Sequence, residues 1–91
     1  MTIKVHTFHW VETPHLGIKQ GQKVGHLYSD VGDIDELQAA ATILHLPRAW
    51  LQLNSEFVHY DVWGYKLTLA LEQYPQAQNR EFVHDIRGLR V

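Results

Sequence analysis

Cysteine is absent from this 91-residue chain, which excludes both a disulfide framework and a thiolate metal site. Small secreted domains commonly lean on disulfides, so the cytoplasm is the expected location. Long apolar runs are missing as well. Nothing approaches the ~18 residues of a membrane span, and Met1-Thr2-Ile3-Lys4-Val5-His6 has no apolar signal region behind a basic head. An excess of one charge is also missing. The formal net charge is −2 and no basic stripe stands out, which argues against a non-specific nucleic-acid binder but not against an enzyme that handles nucleotides. The six glycines form no phosphate-cradling motif. Ser29 has no neighbouring His–Asp order that marks a nucleophile. No internal repeat or low-complexity tract is present.

What remains is a globular composition. The apolar fraction is 45%, with three Trp, four Tyr and three Phe, too apolar for a disordered chain. Residues 1–91 form a single domain, whose stability margin is thin at this length. Histidine is the outlier, with seven: His6, His9, His15, His26, His45, His59 and His84. Histidine serves as metal ligand and acid/base, and equally as a tolerant half-buried side chain.

Residues 2–10 alternate as a strand does. Residues 12–22 carry Pro14, Gly17 and Gly21 and read as a loop containing His15, with His9 at its margin. Lys23 to Tyr28 reads as a second strand closing at Ser29-Asp30. Asp33 with Glu36 three residues on supplies a capping box, and Ile34, Leu37, Ala40, Ala41 and Leu44 make one helical face. That helix is expected over Ile34 to His45, stopping before Pro47. Arg48 to Gln52 fits a helical turn or a strand. Glu56 to Tyr60 is strand-like, and Asp61 is placed to cap a helix from about Val62 to Tyr74, ended by Pro75. Glu81 to Ile86 alternates as a final strand. The expected class is α+β, with a small sheet of three or four short strands and two helices.

The chemistry concentrates in Gly25–Asp30 and Val58–Asp61. On a strand, His59 and Asp61 point to one face, and Asp30 approaches them if the strands are neighbours. His26, Asp30, His59 and Asp61 then form a candidate site for a divalent metal ion with an open water position, His26, His59 and Asp61 being the candidate catalytic groups. His6 can face the same cluster. Arg48 and Lys66 are candidate substrate-binding cations for a phosphate or carboxylate, and Trp50, Trp63 and Tyr60 a candidate aromatic platform. The structural alternative is direct: Asp30 and Asp33 as turn and cap residues, Asp61 as an N-cap, and the histidines hydrogen-bonded to them.

The order His26-Leu27, Ser29-Asp30, Glu36-Leu37, Leu46, Arg48, Trp50, Gln52, His59-Tyr60-Asp61-Val62 and Lys66 resembles a family of small bacterial and phage proteins classed as a domain of unknown function. It covers about half the chain. That family opens with a strand ending in two adjacent aspartates, where this chain has His6-Thr7. Its second helix often ends in a Leu-Gly-Ala turn, where this chain has Gln73-Tyr74-Pro75. The resemblance implies a bacterial or phage protein and brings no established activity.

Two functions are compatible with these residues. The favoured one is a non-enzymatic interaction or accessory module, a homo-oligomer or a binder of another protein. The alternative is a metal-dependent phosphoester hydrolase acting on a nucleotide or nucleic acid, or a degenerate relative of one.

Overall fold

A computed structural model describes residues 2–11, 18–53 and 56–89. The loop expected over residues 12–22, with His15, lies partly outside the described residues. The alternating stretches at the start of the chain form β1 (Ile3–His9) and β2 (Lys23–Ser29), paired antiparallel with His6 opposite His26. The Ser29 hydroxyl accepts from the Val31 and Asp33 N–H groups and turns the chain. Asp33 then caps α1 (Ile34–Ile43), its carboxylate accepting from Glu36 N–H at 3.0 Å. The helix is shorter than expected because His45 adopts φ +55°, and Lys66 Nζ donates to the Leu44 and His45 carbonyls at the helix end.

Residues 48–52 take both of the alternatives their sequence offers: a 3-10 turn over Arg48–Trp50, then the short strand β3 (Leu51–Gln52). β4 (His59–Trp63) follows, and α2 (Gly64–Gln73) begins without a break. Asp61 therefore does not cap α2. Pairing with β2 places Asp61 opposite His26 and Trp63 opposite Val24, so the strand extends past Asp61. Gly64, at φ +58°, makes the abrupt strand-to-helix turn that a side chain would strain. Tyr74 is extended before Pro75 and ends α2.

The expected final strand is instead α3 (Asn79–Leu89), so the domain has three helices rather than two. The alternation over Glu81–Ile86 is also compatible with helical spacing, and Phe82, Asp85 and Ile86 all turn inward, at most half-exposed, while Val83, His84 and Arg87 are exposed. The sheet edge such a strand would have used is already filled. Val5 N–H donates to the Pro75 carbonyl, and Ala77 N–H to the Val5 carbonyl.

The result is an α+β domain with one four-stranded antiparallel sheet, in the order β1-β2-β4-β3. Its two faces differ sharply. Ile3, Val5, Leu27, Tyr60 and Val62 point one way and pack with Leu37, Ala40, Ala41, Leu44, Leu67 and Ala70 of α1 and α2 into the core. Gly25 lies on this face because a Cβ there would meet Leu67 Cδ1 at 2.7 Å and Val5 Cγ1 at 3.0 Å. The residues between them, Lys4, His6, His26, Tyr28, His59 and Asp61, point the other way by strand parity. This second face carries the chemistry, and α3 lies against it.

Candidate metal centre

Strand register assembles the centre. His26 and Asp61 are cross-strand partners on β2 and β4, and His59 lies two residues before Asp61 on the same face. One ligand atom from each of His26, His59 and Asp61 lies within 4.8 Å of the others. His59 Nε2 is 3.3 Å and His26 Nε2 is 3.7 Å from Asp61 Oδ1. Those distances suit an ion pair, yet the buried Oδ1 has no hydrogen-bond partner among the described residues. The three residues thus place one ligand atom each around a common point.

Two further details fit donors prepared for a cation. The Phe57 carbonyl lies 3.0 Å from His59 Nδ1, so Nδ1–H is the donor and Nε2 is the nitrogen that faces Asp61. Metal-bound histidines are commonly fixed by such a bond to a backbone carbonyl. His26 is held neutral: burial, then the neighbouring His59, depress its pKa to about 3, with His6 adding to the effect and Asp61 opposing it. A neutral imidazole is the ligand form.

That depression has a sign that can be measured. The unfolded chain takes up the His26 proton near 6.5, whereas the folded chain resists it down to about 3. His26 therefore favours folding above this window, and the contribution is lost as pH falls through it. Chelator-treated protein is expected to lose stability on the order of 1 kcal/mol from this group between pH 6.5 and about 5. His26→Gln is expected to flatten that part of the stability–pH curve; denaturant melts at each pH give the readout, and an unchanged slope in the variant would contradict the assignment.

Aromatic rings enclose the centre. Phe57 stacks near His59 with centroids 4.4 Å apart, and Phe8 lies 4.2 Å from His26. Phe82 of α3 stacks on His6 at 3.7 Å and 5°. His6 shares the face, its ring 6.0 Å from that of His26, but its Nε2 pairs with Asn79 Oδ1 at 2.7 Å and it is not one of the three converging residues. Beside the centre runs a cleft of about 400 Å³, lined by His26, Phe57, Phe82, Val83, Ile86 and Arg87, with Glu56 at its edge.

The other residues singled out by sequence lie elsewhere. Asp30 leaves the cluster for Lys4, whose Nζ sits 2.6 Å from Glu81 Oε2, 3.0 Å from Asp85 Oδ2 and 3.1 Å from Asp30 Oδ2. Burial would lower the Lys4 pKa, but hydrogen bonds to Glu81, Asp85 and Asp30 outweigh it and push the ammonium well above its ordinary value. Asp85 also accepts from the Tyr28 hydroxyl at 2.8 Å, and burial followed by that bond pushes the phenol upward. Lys66 caps α1, and Arg48 is exposed on the turn before β3, its charge acting on the core residue Tyr60. Neither lines the cleft. Trp50 stacks on Trp63 at 4.8 Å, whereas Tyr60 is fully buried, so the three form no common platform.

Phe57, Phe82 and Arg87, which do line the cleft, were not among the sequence candidates. Once residues 79–89 are read as a helix, the spacing of Phe82, Ile86 and Arg87 reveals them. Among the described residues no helix is long and apolar enough to cross a membrane. Comparison with family models, curated proteins and solved structures finds no match to this chain.

Proposed function

We propose that this domain binds a divalent transition-metal ion through His26, His59 and Asp61, with an open coordination position toward the cleft. The observation that carries the reading is the buried Asp61 Oδ1, unpartnered among the described residues while two imidazole nitrogens stand within 3.7 Å of it. A buried carboxylate oxygen left without a hydrogen bond is costly, and a shared cation removes that cost. Two imidazoles and one carboxylate favour zinc and its first-row neighbours over magnesium or calcium, which prefer all-oxygen shells. Three protein ligands with a remaining position for water are also the usual complement of catalytic zinc sites. When bound, the ion would supply a Lewis acid and an acidified water.

The structural alternative for the cluster read Asp61 as a helix cap, and Asp61 instead lies inside β4. The metal reading therefore becomes the better supported of the two. Its substrate-binding cation is no longer Arg48 or Lys66 but Arg87, which lines the cleft with His26.

Zinc titration of chelator-stripped protein tests the proposal. One ion per chain is expected, and zinc at a hundredfold its dissociation constant stabilises by about 2.7 kcal/mol. For a domain of this size that corresponds to a Tm rise of roughly 15 °C. His26→Ala is expected to fold and to lose most of the rise. No rise with Zn²⁺, Co²⁺ or Mn²⁺, or the same rise in His26→Ala, would overturn it.

A further inference from the structure

We infer that the cleft beside the metal centre takes a small organic oxyanion, its charged end between the ion and Arg87 and its apolar body against Phe57 and Phe82. The inference rests on the metal reading and names the ligand class of that site. The cleft has about 400 Å³, the lower part of the range for small-molecule sites. Its lining is of two kinds: Phe57, Phe82, Val83 and Ile86 are apolar, while His26, Glu56 and Arg87 are polar. Small-molecule sites typically have this make-up, with apolar walls burying the body and a few polar groups fixing its orientation.

The charge of the polar lining selects the sign of the ligand. A divalent ion at the three ligands, together with the Arg87 guanidinium, outweighs the carboxylates of Asp61 and Glu56. Arg87 makes no hydrogen bond or ion pair among the described residues, so its planar fork is available for two parallel bonds to a carboxylate or phosphate. The excess extends outward. Arg80 lines an adjoining groove along α3 that shares Val83 and Arg87 with the cleft. Such a rim draws an anion inward before the metal engages it.

Carboxylates and phosphates share this chemistry, and aryl probes distinguish them. Zinc-loaded protein would be titrated calorimetrically with benzoate, phenyl phosphate, neutral benzamide and inorganic phosphate. At least one aryl oxyanion is expected to bind tenfold or more tightly than both benzamide, which lacks the charge, and inorganic phosphate, which lacks the apolar body. Preference for benzoate or for phenyl phosphate then identifies the headgroup. Arg87→Met is expected to weaken that binding at least tenfold while taking up zinc like the wild type, and chelation of zinc is expected to do the same.

Equal binding of benzamide, or aryl oxyanion binding unchanged by Arg87→Met or by zinc removal, would overturn the inference and leave the metal centre standing. Failure to take up zinc, seen before any anion is added, would overturn the metal reading and this inference with it.

Discussion

Replacing Lys4 by methionine is expected to lower stability by about 3 kcal/mol, the scale of removing one partner from a buried ion network. Lys4 touches three carboxylates at once, and its side chain is only 15% exposed. Asp85, at 11%, is still more buried, and its acceptor role toward Tyr28 ties β2 to the same point. Methionine keeps the apolar stem and deletes the ammonium, so Asp30, Glu81 and Asp85 are left close together and uncompensated. Two of these acids belong to α3, and the Lys4 contacts are among the few polar links from that helix to the sheet.

The loss should therefore appear first at α3. Hydrogen exchange in residues 79–89 is expected to accelerate more than in α1 or α2, and urea melts give the total. Combining Lys4→Met with Asp85→Asn should recover part of the loss, because the second change removes one of the stranded charges. A cost below about 0.5 kcal/mol would place the network with ordinary surface ion pairs and contradict this account of how α3 is held.

The sequence conveyed the sheet better than what covers it. Alternation identified β1 and β2, and the Asp33–Glu36 spacing located the start of α1, because those signals are local: period and cap are set within a few residues. The boundary between β4 and α2 was not local. Asp61 is a good cap by residue type, and only the pairing with β2, decided some 35 residues earlier in the chain, extends the strand past it. The α3 segment failed for a related reason. Glu81–Ile86 satisfies period 2 and helical spacing together, and its choice depended on an edge already occupied by Pro75–Ala77.

The site was legible for the same reason that β4 was partly legible. His59 and Asp61 share a face in any strand, and His26 joins them once β2 and β4 are neighbours. Asp30 was misplaced by a rule of proximity in sequence: it follows the end of β2, and its side chain meets Lys4 of β1 instead of the cluster. Lys66 and Arg48 were chosen for charge alone. Charge does not say which face of the sheet a residue serves, and neither lines the cleft.

The second large expected effect concerns Asp61. If the carboxylate is kept for a metal, it is a liability in the metal-free protein, since a buried charge whose oxygen lacks a hydrogen bond costs folding free energy. Asp61→Asn preserves shape, removes the charge and offers an amide N–H. His59 Nε2 lies 3.3 Å from Asp61 Oδ1, within reach of such an amide. The substitution should therefore leave metal-free stability unchanged or raise it by about 1 kcal/mol, the net worth of one gained hydrogen bond. It should also cancel most of the zinc stabilisation, because an amide oxygen is a far weaker ligand than a carboxylate.

A purely structural His–Asp network predicts the reverse. There the carboxylate balances an imidazolium, and removing it strands a buried positive charge.

The most direct measurement is thus the unfolding free energy of wild type and Asp61→Asn, each with excess chelator and with saturating zinc. The metal-centre account predicts that the variant equals or exceeds wild type in chelator and falls below it by about 2–3 kcal/mol in zinc. A variant less stable than wild type in chelator, with zinc making no difference to either protein, would contradict it.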